Sequence, residues 1–288
     1  MSIITQLYSF ISYSLLNEID EARKTPWDKQ IKVFESLINS GRETFFGKEH
    51  NFNSINCVSD FQKRVPLREY DQFEPYIERL RRGENYVLWN QKVKWFAKSS
   101  GTSSSKSKFI PITDDSLNNC HFLGMRKMLA TYLNQHPDSN LFKGHALTLG
   151  GSVAIDEIGT GDSFYGDLSA IMLRNANFLV ELKRVPSKDI ALLPDFETKV
   201  AEICKMAKKY NVTNFSGVPS WNLVLMNKIL EYHNIDNLLE IWPNLELFMH
   251  GGINFEPYKE QYKKLIPNES MNYMESYNAS EGYFAFQD

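Results

Sequence analysis

The chain has 288 residues, 42% hydrophobic and 13% aromatic, enough for one large domain or two modest ones with a buried core. A formal charge of −3 excludes the basic excess of an extended nucleic-acid footprint. Cys57, Cys120 and Cys204 are odd in number and form no CxxC pair. They fit a reducing, cytoplasmic setting and neither a disulfide framework nor a zinc site.

From the N-terminus, Ile3, Ile4, Leu7, Phe10, Ile11 and Leu15 recur at helical spacing. No basic n-region precedes them, and no apolar run is long enough to span a bilayer. The expectation is a packed first helix, with a membrane-surface helix as the alternative. Thr25-Pro26-Trp27-Asp28 reads as a helix start with Thr25 at the N-cap and proline at the first position. Ile31, Val33, Phe34, Leu37 and Ile38 are expected to form its packing face. Ser59-Asp60-Phe61 opens a short helix that Pro66 ends, and Tyr70 to Arg82 gives another. Its Arg79-Leu80-Arg81-Arg82 cluster is read as a solvated helix C-terminus, where cations complement the dipole.

Ser99-Ser100-Gly101-Thr102-Ser103-Ser104-Ser105-Lys106-Ser107-Lys108 stands apart. Hydroxyls and amides supply donors, Lys106 and Lys108 supply charge, and Gly101 permits close backbone approach. Two readings stand side by side: a polar surface loop or a cradle for polyphosphate oxygens. Phe109 to Ile112 follows as a strand, and Thr113-Asp114-Asp115 caps a long helix carrying Leu117, Phe122, Met125, Met128, Leu129 and Leu133. His145 to Leu149 reads as a buried strand ended by Gly150-Gly151, and 152–164 as loop. Phe196 to Tyr210 is an amphipathic helix, Val212 to Phe215 a strand, Gly217-Val218-Pro219-Ser220 a turn, and Trp221 to Tyr232 a helix. Leu245 to Met249 is a strand running into His250-Gly251-Gly252, and Phe255 to Leu265 a helix. Met271 to Tyr277, a turn over 278–282 and an aromatic strand from Tyr283 to Phe286 close the chain. Strands alternating with helices predict an α/β fold with a mostly parallel sheet flanked by helices. In such sheets ligands sit beyond the carboxyl ends of the strands, where three of these turns fall.

Several familiar motifs fail on spacing. A Walker loop needs a second glycine where Lys106 stands, and Gly159-Thr160-Gly161 does not continue as a dinucleotide fingerprint because position 164 is Phe. No GxSxG elbow and no HExxH pair occur. His250 is open to a catalytic or a packed role. In Tyr277-Asn278-Ala279-Ser280-Glu281 an aromatic face, a hydroxyl and a carboxylate could stack a base, touch a phosphate and hold Mg²⁺; an ordinary turn is the alternative.

Taken in order, Ser-Ser-Gly-Thr-Ser with Lys-Ser-Lys-Phe-Ile-Pro, then His-Gly-Gly, then Tyr-Asn-Ala-Ser-Glu-Gly resembles the adenylate-forming superfamily. More narrowly, the chain resembles the bacterial branch of the Gretchen Hagen 3 (auxin-responsive promoter) acyl-acid amido synthetases. Thr44-Phe45-Phe46-Gly47-Lys48-Glu49-His50, Val65-Pro66-Leu67-Arg68-Glu69-Tyr70-Asp71 and Pro75-Tyr76-Ile77-Glu78-Arg79 extend the likeness upstream. The resemblance implies a ligase that activates a small carboxylic acid with ATP and Mg²⁺ and passes it to an amine or amino acid. By position it implies that Ser99, Ser100, Gly101, Thr102 and Ser103, with Lys106 and Lys108, surround the β- and γ-phosphates. Tyr277 and Asn278 would meet adenine beside a backbone wall of Gly251 and Gly252, Ser280 would approach the α-phosphate, and Glu281 would hold Mg²⁺. Val218, Pro219, Ser220 and Trp221 would shape the acyl pocket.

Relatives in that family continue past this turn into a hinge and a smaller domain. The expectation is therefore a partial N-terminal adenylation domain over 1–288, helical to about residue 90 and nucleotide-binding α/β over about 91–288, without the C-terminal domain. A non-catalytic module that binds nucleotide or acyl acid is the alternative function. Neither a nucleic-acid partner nor a membrane span is expected.

Overall fold

The computed structural model describes residues 3–99, 107–158 and 162–288, with side chains from residue 12 onward. Its strands are β1 (Trp95–Ser99), β2 (Lys108–Ile112), β3 (His145–Thr148), β4 (Val153–Ile155), β5 (Phe164–Gly166), β6 (Arg184–Val185), β7 (Val212–Gly217), β8 (Leu247–Gly251), β9 (Asn272–Ala279) and β10 (Gly282–Phe286). Two compact units result. Leu16–Leu117 with Ala154–Gly166 form the smaller; Asn118–Val153, Asp167–Asp288 and the chain up to Leu15 form the larger. Among the described residues, no helix is long and apolar enough to cross a membrane.

The smaller unit carries a four-stranded sheet in the order β2-β1-β5-β4, with β1 antiparallel to β2 and parallel to β5. The helix Tyr70–Arg81 opens with a capping box between Glu69 and Gln72, and it buries Ile77 and Leu80 against Val87, Val93 and Phe96. Thr25 does precede the helix Pro26–Gly41, but its hydroxyl donates back to the Glu21 carbonyl at 3.0 Å and does not cap. The expected packing face narrows as well. Phe34 and Ile38 join Phe52 and Ile55, whereas Ile31, Val33 and Leu37 are exposed. Only one i, i+4 stripe finds a partner.

Two expectations fail here for a shared reason. The stretch 152–164, read as loop, holds β4 and the start of β5; three-residue strands are too short to show a period. Arg81, read as solvated, is buried because β4 leads into Asp156 beneath the end of its helix. Its Nε and Nη2 donate to Asp156 Oδ2 and Oδ1 at 2.6 and 2.9 Å, and the guanidinium lies 3.8 Å from the Phe109 ring centre. Arg79 and Arg82 remain on the surface side with Glu84 and Glu78.

The larger unit is the expected mostly parallel α/β sheet, in the order β10-β9-β8-β7-β3-β6, antiparallel only between β10 and β9. Along β8, Phe248 enters one core with Phe215, Leu225, Trp242 and Tyr262, while Leu247 and Met249 enter the other with Met128, Tyr132 and Met274. Alternation on a sheet covered on both faces explains the unbroken apolar run Leu247-Phe248-Met249. The helices Phe196–Met206, Pro219–His233 and Lys259–Leu265 line the first face, and Phe122–Gln135 the second.

The buried Arg81–Asp156 pair yields a stability test. Arg81→Ala leaves an uncompensated buried carboxylate and is expected to cost about 3–5 kcal/mol in urea unfolding. Arg81→Met combined with Asp156→Leu recovers most of that loss, and a single-variant cost below about 1 kcal/mol contradicts the assignment.

Candidate active site

The parallel strands β7, β8 and β9 end along one edge, and their terminal residues build the site. Ser216 and Gly217 finish β7, and Pro219 opens the next helix with its ring preset for the first turn. Gly217 has φ +136°, a conformation that L side chains rarely adopt, and a Cβ there would sit 2.7 Å from Asn222 Nδ2. Asn222 is fully buried, and its Nδ2 donates to the Val218 carbonyl at 3.2 Å, locking the turn. Pro219 is buried, Val218 and Ser220 are half-buried, and Trp221 is exposed with its ring edge on Phe196, centroids 4.8 Å apart.

Gly251 ends β8 directly opposite Ser276 of β9. A side chain on Gly251 would place its Cβ 2.2 Å from the Ser276 carbonyl oxygen, so the wall there is bare backbone. Gly252 follows beside Val218, whose Cγ2 would lie 3.3 Å from a Cβ on it. The structure thus brings Gly252 to the Gly217–Trp221 turn.

The β9–β10 hairpin carries the aromatic and acidic groups. Its turn is tighter than expected: Ala279 pairs with Gly282, leaving Ser280 and Glu281 at the tip. Ser280 is half-buried and Glu281 exposed. Tyr283 pairs with Asn278 and Ala285 with Tyr277, so Phe284 is the extra residue of a bulge. The bulge turns Phe284 onto the face of Tyr277, their rings 4.9 Å apart at 32°. Tyr277 remains 60% exposed, an open aromatic platform backed by a second ring.

His250 takes the packed role of the two left open by sequence. It is buried, stacked at 4.2 Å on Phe255, and burial pushes its pKa down to about 4, so the ring is neutral at pH 7. Ser276 Oγ donates to its carbonyl at 3.3 Å.

Of the hydroxyl-rich run, Ser99 ends β1 and Lys108 begins β2, paired across the ladder, with Lys108 Nζ 5.6 Å from the Tyr70 ring centre. Both belong to the smaller unit. Ser100, Gly101, Thr102, Ser103 and Lys106 lie outside the described residues, as does Gly159-Thr160-Gly161.

Sequence reasoning missed Asn222, Phe284, Lys199 and His121. Lys199 is buried and donates to the Gly150 carbonyl and, at 3.3 Å, to that of Gly151; burial lowers its pKa, with Asp167 opposing. Only its place in a helix was legible, because its partners come from a turn 49 and 48 residues away. Among the described residues no cluster of three or more His, Cys, Asp or Glu could hold a metal. Glu281 stands exposed at the hairpin tip as a single carboxylate, the kind of oxygen donor that a largely hydrated Mg²⁺ takes.

A mostly parallel sheet ending in bare-backbone turns, with helices on both faces and an aromatic hairpin at its edge, defines a mixed α/β protein. The chain superposes on AtGH3.15 acyl acid amido synthetase in complex with 2,4-DB with TM-score 0.76 and 15% identity, covering 94% of this chain and 56% of that one. A second GH3.15 acyl acid amido synthetase structure gives TM-score 0.65, also at 15% identity, over 88% of this chain and 52% of that one. Residues 15–271 match the GH3 family N-terminal domain, and the chain belongs to that family. Indole-3-acetic acid-amido synthetase GH3.4 of Arabidopsis thaliana is 26% identical over 110 residues, 38% of this chain and 18% of that protein. Probable indole-3-acetic acid-amido synthetase GH3.13 of Oryza sativa subsp. japonica is 39% identical over 64 residues, 22% of this chain and 14% of that protein. The chain spans about half the length of the GH3.15 structures it matches.

The neutral His250 sets a pH dependence. Its imidazole titrates near 6.5 when unfolded and near 4 when folded, so the unfolded state binds the extra proton between those values. Stability is fully present above about pH 6.5 and falls by roughly 1.4 kcal/mol per unit towards pH 4, about 3 kcal/mol in all. Urea unfolding at pH 7.5 and 5 is expected to show a smaller acid loss in His250→Phe than in wild type; equal losses refute the assignment.

Proposed function

We propose that the protein takes part in ATP-dependent activation of a small carboxylic acid to an acyl-adenylate, followed by amide formation with an amine or amino acid. The observation that carries this reading is the hairpin tip: Tyr277 presents an open aromatic face, and Ser280 and Glu281 follow within four residues at the carboxyl edge of the sheet. Membership of the GH3 family supports it, as does the likeness to indole-3-acetic acid-amido synthetase GH3.4.

In this reading a carboxylate oxygen attacks the α-phosphorus of ATP, the bond to the β-bridging oxygen breaks, and pyrophosphate leaves. The amine then attacks the acyl carbon, AMP departs with the C–O electron pair, and the amine proton passes to solvent. The first step joins two anions, so positioning and charge neutralisation are what the protein supplies. No general base is required, because the carboxylic acid is already ionised at pH 7. Tyr277 stacks on adenine with Asn278 beside it, and the Gly251-Gly252 backbone bounds the base. Ser280 meets the α-phosphate. Ser99, Ser100, Gly101, Thr102 and Ser103, with Lys106 and Lys108, take the β- and γ-phosphates. Val218, Pro219, Ser220 and Trp221 shape the acyl pocket. Glu281 holds Mg²⁺, which when bound supplies neutralisation of phosphate charge.

The chain then represents a partial N-terminal adenylation domain. Its upstream stretches around Thr44–His50 and Val65–Asp71 support a reading as a member of the family's bacterial branch, and three free cysteines suit the cytoplasm.

The protein is expected to exchange labelled pyrophosphate into ATP when supplied with a suitable aryl or alkyl carboxylate. Glu281→Ala is expected to lower that exchange by about 100-fold, and Tyr277→Ala to raise the KM for ATP by about tenfold. No exchange across a broad carboxylate panel rejects the activity. ATP binding without exchange leaves a non-catalytic binding module.

A further inference from the structure

One buried polar contact behind the hairpin has no part in the chemistry above. Residues Leu117–His121 form a π-helical turn leading into the helix Phe122–Gln135. Such a turn adds a residue to the helix and shifts which side chains face inward; it is often found at functional sites. Here it turns two consecutive side chains towards the hairpin. Cys120 Sγ accepts the Tyr283 N–H at 3.2 Å. His121 is fully buried, and its Nδ1 lies 2.8 Å from Asn278 Oδ1.

The direction of that bond follows from chemistry. An amide oxygen only accepts, so His121 Nδ1–H donates. The Asn278 amide is oriented from its other end, where Nδ2 donates to Met172 Sδ at 3.6 Å. Burial lowers the His121 pKa, which keeps the ring neutral and leaves Nε2 as an acceptor without a partner. Asn278 and Tyr283 are themselves paired across the hairpin. The turn therefore grips both strands at one rung, directly between Tyr277 and the Ser280-Glu281 tip.

We infer that His121 is a positioning residue for nucleotide binding: its Nδ1–H fixes Asn278, and through it the attitude of Tyr277, Ser280 and Glu281. This rests on the adenylating reading above. Loss of the donor frees the tip to rotate while the fold behind it survives, so the effect falls on ATP affinity.

The test is isothermal calorimetry of ATP with Mg²⁺ on the 288-residue chain. His121→Leu fills the space without a donor and is expected to weaken ATP binding about tenfold, the scale of one misplaced contact. His121→Asn puts an amide N–H where Nδ1 stood and is expected to stay within about threefold of wild type. Should the leucine variant not fold, His121→Gln decides. Its amide is displaced by one methylene, and it is expected to bind about tenfold more weakly than His121→Asn. Long-range ¹H–¹⁵N spectra of the wild type are expected to show His121 as the Nδ1-protonated neutral tautomer. An Nε2-protonated ring, or equal ATP affinity in the leucine, glutamine and asparagine variants, overturns the role while leaving the adenylating reading intact. No ATP binding by the wild-type chain sinks both.

Discussion

The pairing of β8 with β9 sets Gly251 against Ser276 so closely that no side chain fits between them. That close approach leaves bare backbone at the carboxyl edge of the larger unit. It lets Gly252 meet Val218 from the neighbouring β7 turn on one side, and the hairpin of Tyr277 rise on the other. In a parallel sheet every strand ends at the same edge, so short turns after β7, β8 and β9 converge without any long loop. The two apolar cores fix the register that brings them together, since a one-residue slip would exchange Phe248 with Leu247 and Met249 between faces.

Around that edge, polar groups are buried where they lock backbone and exposed where they can meet a ligand. Asn222 ties the Gly217 turn, Lys199 ties Gly150 and Gly151, and His121 ties Asn278. Lys199 and His121 join elements distant in sequence while Asn222 acts within its own turn, and each would be expensive to leave unpaired. Tyr277 and Glu281, by contrast, stand in solvent. His250 belongs with the first group despite its two glycine neighbours: a neutral imidazole stacked on Phe255 is core.

Much of this was legible in the residues. The alternation of helix-period and strand-period segments from Phe196 onward marks an α/β sheet, and Pro219 and the glycines after β7 and β8 mark its turns. The hairpin was legible in outline, although its turn tightened to Ser280-Glu281 and its bulge at Phe284 was not foreseen. The second sheet was not, because β4 and β5 have three residues each and β1 lacks a turn signal ahead of it. Arg81 misled for a different reason. A basic residue in a last turn usually faces water, and only Asp156, 75 residues later, turns it inward.

The sequence by itself determined the local chemistry: which segments coil, where the chain must turn, and which order of hydroxyls, glycines and the Tyr-Asn-Ala-Ser-Glu run marks the family. These depend on dihedral preference, hydrophobic period and short spacings, all readable within a few residues. Only the tertiary structure decided which buried polar groups meet. The His121–Asn278 contact spans 157 residues, Arg81–Asp156 spans 75, and the chain crosses between the two units four times. Such pairings are set by packing and by the cost of burying an unsatisfied donor, neither of which has a period along the chain.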